Sequence, residues 1–377
     1  MRFEGAPPWR PRTPYMTQQA TDFTLDTAAE LAEREHGAIE GKSPWYLAWR
    51  RLRRNFIALG SLVLFFLIVA VCMSAPWYAD NVAGTGPNET HLTDKILVGG
   101  KEVDVISPGG TEQDPETGLL VIKPVTVLGP QLWHADGKYV LGADPTGRDI
   151  AVRVLYGGQT SLKIGLGSAL ICTFLATVLA LIAGYFGGWA DWLITRVFDL
   201  IAALPVILLG IALGTALAIN GFHQGPIDLD SGSLWIPTLI ISVILVAYIG
   251  RPLRGQILSL REKEFIEAST AQGAGPLRIM FSELLPNIAS SILVFFTLII
   301  ANNILVEAAL SFLGAGVQPP NPSWGTLIAE GQERIRTAPW LTIVPGSAIV
   351  LTVVALNIFG DGLRDALDPR AKVRIEH

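Results

Sequence analysis

The side chains that most often carry chemistry are few in this sequence, and their spacing fits no common catalytic site. Cys72 and Cys172 both lie inside apolar stretches, where packing explains them better than a disulfide or a metal site. The five histidines are scattered without metal-ligand spacing: His36, His91, His134, His223 and His377. None of them lies in an apolar stretch, so a membrane-embedded nucleophile–base pair is not indicated. We therefore expect no enzyme activity, no metal and no cofactor.

One stretch has the look of a nucleotide-binding loop. GAIEGKS, at 37–43, has three residues between its glycines, whereas the phosphate-binding motif needs four. It also follows an acidic polar run rather than a strand. We expect that the chain alone neither binds ATP tightly nor hydrolyses it.

The apolar residues are clustered. The chain has 377 residues, of which 50% are hydrophobic and 16% charged. Six stretches approach or exceed the ~20 residues that a bilayer-spanning helix needs: 56–76, 161–183, 193–219, 234–250, 288–313 and 341–359. The pattern predicts an all-α polytopic membrane protein with six transmembrane helices, the third broken by Pro205 and the sixth by Pro345, where neighbouring helices make kinks tolerable.

The basic residues give an orientation. Three clusters flank the apolar stretches: Arg50, Arg51, Arg53 and Arg54; Arg251, Arg254, Arg261, Lys263 and Arg278; and Arg364, Arg370, Lys372 and Arg374. With six crossings all three clusters face one side, which the positive-inside rule makes the cytoplasm. The loop 220–233 has no Lys or Arg, whereas Arg334 and Arg336 in 314–339 are a mild exception. Both termini are predicted to be cytoplasmic, in a cell-membrane protein whose immediate partner is the lipid bilayer and not nucleic acid.

The domain organisation follows from these assignments. We expect a cytoplasmic tail at 1–55, a first transmembrane helix at 56–76 and a second tail at 364–377. Residues 77–158 form a predicted extracytoplasmic insertion, with turn dipeptides between short β-like runs. Residues 159–363 form the core, which includes a charged loop at 262–287.

That charged loop separates two apolar stretches, so it must face water or a partner. Its sequence predicts a helix from Glu262 to about Gln272, then a turn with positive φ at Gly273 and Gly275. A second short helix is predicted from Pro276, ended by Pro286 just before the fifth span. By composition alone, an amphipathic loop lying on the membrane surface is the favoured interpretation.

The same loop resembles the signature loop of permease subunits of ABC importers. That motif has Glu-Ala-Ala, three residues, Gly, nine residues and a hydrophobic-x-Leu-Pro ending. Here it is Glu267-Ala268-Ser269, then Gly273, then Glu283-Leu284-Leu285-Pro286, so a serine replaces the second alanine and a glutamate the usual apolar residue. LGADPTGRD (141–149), AGYFGGWAD (183–191), EAALSFLGAGVQPPNPSWG (307–325) and GDGLRDALDPR (360–370) resemble the C-type subunit of the dipeptide/oligopeptide (nickel) permeases.

This resemblance, over roughly 45–370, implies a type I ABC importer permease fold. It also implies that the loop is a coupling helix that docks on a cytoplasmic ATPase. The residues carried over to this role are Glu267, Ala268, Ser269, Gly273, Pro276, Leu285 and Pro286. Implied partners are a second homologous permease, two ABC ATPase subunits and an extracytoplasmic solute-binding protein. Peptide is the implied substrate, with nickel, opines and other small solutes left open.

Further polar residues lie in or near the predicted spans. Glu307 falls near the outer boundary of the fifth span, where it could bond structurally or act as a gate. Asn302, Asn303 and Asn357 lie deeper and could line the pathway or bond between helices. Asp144, Gly147, Arg148 and Asp149 resemble an ordered turn, held by Arg–Asp pairing or used to contact a binding protein. A secondary transporter, the alternative class, would show inverted repeats and a midplane acid, and the sequence shows neither.

Overall fold

The computed structural model describes residues 44–98, 101–107, 109–113, 120–123, 125–131, 138–224 and 227–367. The predictions for 1–43, including GAIEGKS, and for 368–377, with Arg370, Lys372 and Arg374, lie outside these residues. Residues 51–377 contain the compact unit to which the following contacts belong.

The described chain is mainly helical. Its helices are α1 Pro44–Leu52, α2 Phe56–Met73, α3 Ala75–Tyr78, α4 Ile150–Phe186, α5 Gly188–Ala203, α6 Val206–Asn220, α7 Trp235–Arg261, α8 Glu264–Ala271, α9 Pro276–Arg278, α10 Leu285–Phe312, α11 Trp324–Gln332 and α12 Trp340–Leu367. Two π-helical segments, Ala79–Ala83 and Ile279–Leu284, follow α3 and α9.

Among the described residues, five helical segments are long and apolar enough to cross a membrane, and a sixth crossing arises if α5 and α6 count as one bent pair. The contacts decide the count. Ala58 at the start of α2 packs against Leu363 and Ala366 at the end of α12, so these two ends lie at one face. Leu217 near the end of α6 packs beside Ile236 at the start of α7, at the other face. An even number of crossings follows, and the predicted six are confirmed.

We call the face where α2 begins and where α7 and α12 end the basic face, because Arg51–Arg54, Arg261 and Arg364 lie there. At this face Arg254 of α7 pairs with Asp191 of α5, with Nη2 2.6 Å from Oδ2. All three arginine clusters of the described chain therefore meet at one side.

The two prolines behave differently. At Leu204–Pro205 the helix stops, and α6 leaves at 91° to α5, because proline fixes its own φ and has no N–H for the ladder. The predicted break of the sixth span at Pro345 is wrong, because Pro345 lies inside the unbroken helix α12, as Pro252 does inside α7. The third span is therefore two helices, as the interruption at Pro205 predicted.

Short antiparallel strand pairs occupy the insertion: β1 Lys95–Val98 with β2 Lys101–Asp104, β3 Ile106–Ser107 with β6 Thr126–Val127, and β4 Gly110–Gln113 with β5 Leu120–Lys123. A further pair, β7 Phe222–Gln224 with β8 Ile227–Leu229, lies between α6 and α7. The strand prediction for the insertion is confirmed. Helix α4 begins at Ile150, inside the range assigned to the insertion, and runs for 37 residues.

The core is centred on α4 and α7, whose close packing depends on small residues. A Cβ added to Gly184 of α4 would lie 2.8 Å from the Cβ of Ile257 in α7. One added to Gly250 of α7 would lie 2.5 Å from the fully buried ring of Phe198 in α5, so α7 also packs closely on that helix. Small residues let helices approach closely in a bilayer, where dispersion contacts replace the hydrophobic effect as the driving force.

Candidate functional site

The charged loop is a hairpin that projects from the basic face. Helix α8 has one buried side chain, Ile266, which joins the hydrophobic core. Across the hairpin, the Ser269 hydroxyl lies 3.3 Å from Glu283 Oε1. A helix of eight residues is not stable alone, so these contacts hold it against the membrane core.

The turn of the hairpin depends on one glycine. Gly273 has φ +85°, in the left-handed region, and its N–H donates to Thr270 O at 2.9 Å. Gly275 was also predicted to have positive φ, and that prediction is wrong: its φ is −75° and its backbone is extended. An extended residue is what the following Pro276 favours, and Pro276 begins α9. The two glycines therefore have different roles.

The second limb of the hairpin, which begins at Pro276, differs from the sequence prediction. We expected Pro286 to end a short helix, but helical structure runs without a break from Pro276 to Phe312. Pro286 lies in the first turn of α10, where a missing N–H is tolerated, and Leu285 packs against the core. The π-helical segment Ile279–Leu284 makes this continuity possible. The fifth span and the second limb of the hairpin are thus one continuous helical run.

The surface of the hairpin is exposed and mixed in character. Glu267 and Ala268 are exposed, as are the apolar side chains of Phe265, Leu277 and Phe281. Exposed apolar side chains beside small and acidic residues are typical of a surface that a partner covers. Beside it, a cleft of about 730 Å³ separates α8 from the end of α4.

The neighbouring asparagines of α10 have opposite surroundings. Asn303 is fully buried, and its side-chain amide lies 2.7 Å from Ser168 Oγ in α4. Ser242 of α7 donates to the Ser168 carbonyl at 3.2 Å, so three helices meet through polar groups. Asn302 is exposed and Asn357 of α12 is half-buried. Of these three asparagines, Asn303 is the one with a hydrogen bond to another helix in the described chain.

Glu307 is fully buried at the end of α10 away from the basic face. Its Oε1 accepts from Ser311 Oγ at 2.7 Å, and Ser311 Oγ accepts from Val317 N at 3.0 Å. The hydroxyls of Ser161 and Ser323 lie beside the same carboxyl group and accept backbone N–H groups of α11. The carboxyl group therefore organises the 311–326 segment around it. Glu307 thus contacts hydroxyl groups from α4, from α10 and from the residue that precedes α11.

Residues 141–149 form an ordered turn built on Asp144. Its Oδ1 accepts from Thr146 N at 2.8 Å and Arg148 N at 3.0 Å, and its Oδ2 accepts from Arg148 Nε at 2.5 Å. Two further residues, which sequence reasoning missed, complete an ion network. Arg153 Nη1 lies 3.1 Å from Asp144 Oδ2, and Arg148 Nη2 lies 2.9 Å from Glu330 Oε2 in α11.

Asp149 is not paired with an arginine. Its Oδ1 accepts from the N–H groups of Ala151 and Val152, which caps α4, and its Oδ2 accepts from Tyr139 N at 2.6 Å. Burial raises the pKa of the Asp149 carboxyl above its ordinary value, and these donors act against that shift. Gly147 has φ +77°, and a Cβ there would lie 2.6 Å from the carbonyl carbon of His91. The turn thus needs glycine.

These features define a class: a polytopic α-helical membrane protein with an exposed hairpin at its basic face and an ion network at the opposite face. Residues 176–373 match the family described as binding-protein-dependent transport system inner membrane component, and residues 43–95 match the N-terminal TM domain of oligopeptide transport permease C. The first match spans more than half of the chain, so the chain belongs to that family. The resemblance inferred from the motifs and the type I importer permease fold are thereby confirmed.

Named relatives cover almost all of the chain. A dipeptide transport system permease protein of Alkalihalophilus pseudofirmus is 36% identical over 88% of this chain and 91% of its own length. An oligopeptide transport system permease protein of Haemophilus influenzae is 31% identical over 95% and 99%. A chain of the inward-facing MetNI methionine ABC transporter aligns with TM-score 0.46 and 17% identity, over 57% of this chain and 96% of that one. The sequence relatives are transport permeases rather than enzymes.

Proposed function

We propose that this chain is one of two homologous permease subunits of an ABC importer for dipeptides and oligopeptides. Its relatives from Alkalihalophilus pseudofirmus and Haemophilus influenzae are named for dipeptide and oligopeptide transport. The remaining partners are two cytoplasmic ABC ATPase subunits and an extracytoplasmic solute-binding protein. In this arrangement both termini and the hairpin are cytoplasmic.

The observation that carries the proposal is the hairpin. The limb formed by α8 is anchored by Ile266 and leaves Glu267 and Ala268 exposed, while the limb from Pro276 is continuous with α10. A partner that binds the hairpin and contacts the limb from Pro276 would therefore move α10 directly, because no break separates that limb from α10. Closure of the ATPase pair upon ATP binding would tilt the fifth span in each permease and so open one face of the pathway. The free energy comes from the ATPase subunits, because this chain only transmits it.

The orientation is supported by the arginines. Arg51–Arg54, Arg261 and Arg364 lie at the face that carries the hairpin. The positive-inside rule assigns such a face to the cytoplasm. The insertion and the Asp144 turn then face the binding protein, which delivers the peptide.

Reconstitution in proteoliposomes tests this function. The chain, its second permease, the ATPases and the binding protein should together take up a labelled dipeptide only when ATP is present on the hairpin side. Glu267→Lys should lower uptake and ATPase co-purification together, because it reverses a charge on the docking surface. Glu262→Lys, at the end of α7, is the matched control and should change neither. Uptake of Ni²⁺ in place of the dipeptide would contradict the substrate class but not the coupling role.

A further inference from the structure

A separate cleft of about 340 Å³ lies between the ends of α7, α10 and α12 at the basic face. It is lined by Gln256 of α7; Ser290, Ser291, Val294, Phe295 and Leu298 of α10; and Arg364 and Leu367 of α12. None of these residues belongs to the docking surface of the hairpin or to the ion network. We propose that this cleft binds an anionic phospholipid of the inner leaflet, with its phosphate on Arg364.

Four polar side chains converge on the cleft with their hydrogen-bonding capacity free. Within the described part of the chain, Gln256, Ser290, Ser291 and Arg364 form no hydrogen bond or ion pair. Asn303, by contrast, is bonded to Ser168 of the neighbouring helix. Groups at the membrane boundary that lack protein partners need water or a ligand. Two hydroxyls, an amide and a guanidinium are all donors that suit phosphate oxygens.

The residues that line the cleft change from polar at its mouth to apolar at depth. This is the order of headgroup and acyl chain in a phospholipid. Helix α10 leads away from the basic face, so Ser290 and Ser291 lie at the mouth of the cleft. Val294 and Phe295 lie one turn deeper and Leu298 two turns deeper. A headgroup at the boundary and an acyl chain directed inward match this order. A pathway for peptides would instead need polar side chains to continue toward the membrane centre.

The charge also fits. Asp361 and Asp365 flank Arg364 on α12, yet neither forms an ion pair with it in the described chain. Arg51 lies close by, where its Nη1 donates to the carbonyl of Ala366 at 3.5 Å. Basic pockets between transmembrane helices on the cytoplasmic side are suited to anionic headgroups, because that leaflet carries the anionic lipids. Arginine serves this role well through its planar fork of donors.

The test is lipid retention by the full-length chain, purified in detergent with phosphatidylglycerol or phosphatidylcholine added and examined by native mass spectrometry. We expect wild-type protein to retain phosphatidylglycerol in preference. Arg364→Gln should weaken that retention about fivefold, the effect of one arginine at a membrane surface, and Arg364→Lys should keep most of it. Arg196→Gln removes an exposed arginine outside the cleft and should have no effect. Thermal unfolding of each variant shows whether it is folded.

Two results would overturn the proposal. One is equal retention of the two lipids by wild-type protein. The other is unchanged phosphatidylglycerol retention in Arg364→Gln, and if dipeptide uptake also fell in that variant, Arg364 would belong to the transport pathway. Displacement of bound phosphatidylglycerol by an acidic dipeptide would count against lipid as the occupant in the same way.

Discussion

The guanidinium of Arg153 holds both carboxylate oxygens of Glu330, with Nη1 2.5 Å from Oε2 and Nη2 3.0 Å from Oε1. Arg153 is 3% exposed and lies in the first turn of α4, whereas Glu330 lies in α11, 177 positions away. This fork joins the turn at 141–149 to the segment between the fifth and sixth spans. The face opposite the hairpin is therefore held together by ion pairs as well as by packing.

Glu330→Gln should lower stability at that face. The substitution leaves Arg153 with Asp144 as its single carboxylate, and the loss should be about 1–2 kcal/mol, because Glu330 is itself partly exposed. Thermal unfolding in detergent measures it. Glu333→Gln, one turn further along and outside the network, should unfold at the wild-type temperature. Equal melting temperatures for the two variants would show that the fork adds nothing.

The two asparagines offer a matched pair inside the fifth span. Asn303→Leu removes the contact with Ser168 and should destabilise the protein by about 1 kcal/mol. Asn302→Leu, at the exposed neighbour, should leave thermal unfolding unchanged. If Asn302 lines the pathway, that second variant should lower dipeptide uptake without affecting stability. A larger loss of stability in Asn302→Leu than in Asn303→Leu would contradict this assignment.

The two glycines of the hairpin allow the effect of backbone conformation to be tested separately from the effect of the space available to a side chain. A Cβ at either Gly273 or Gly275 meets no atom within 4 Å. Gly273→Val should nevertheless cost about 1–3 kcal/mol of local strain, because its φ is positive. We expect an inserted permease that loses its ATPase on gentle solubilisation and no longer supports uptake.

Gly275→Val is the control for that experiment, since valine accepts an extended backbone with negative φ. It should keep both uptake and ATPase co-purification. A hairpin that merely lay on the membrane surface would tolerate both substitutions, and near-normal uptake in Gly273→Val would reject the coupling role.

Labelling tests the orientation. A cysteine at Gly110, in β4 of the insertion, should react with an impermeant thiol reagent in intact cells or spheroplasts. A cysteine at Gln272, exposed on the hairpin, should react only after lysis. The native Cys72 and Cys172 are buried, so background should be low. Reversed labelling would invert the whole topology.

Local features of this fold could be predicted from sequence. Hydropathy gave six crossings because a bilayer demands long apolar helices, and the positive φ of Gly273 followed from the sharp turn that its neighbours require. The start of α4 could not be located in the same way. Its first turns carry Arg153 and Gln159, whose polarity conceals the start of a helix that tertiary contacts stabilise.

The non-local features left no sequence signal. Arg153 and Glu330 meet only because α11 folds back onto α4, and no local period reports a contact 177 positions long. Helix α11 was missed for a related reason. Its first turn is capped by Ser323 and Thr326, and its buried Trp324 donates to Val154 O, so its stability lies in contacts with α4. The sequence shows the chemical types of these residues, but it does not show which residues they contact.

The unbroken run from Pro276 to Phe312 has a mechanical consequence. At ~1.5 Å per residue, its 37 residues span about 55 Å. A rigid arm of that length swings its far end by roughly 5 Å for a rotation of about 5°. The far end carries Glu307 and Ser311, which grip the 311–326 segment. A rotation of a few degrees at the hairpin would therefore move the far end of this helical run by more than the length of a hydrogen bond. The orientation of this one helical run would then determine when the contacts at both faces of the protein change.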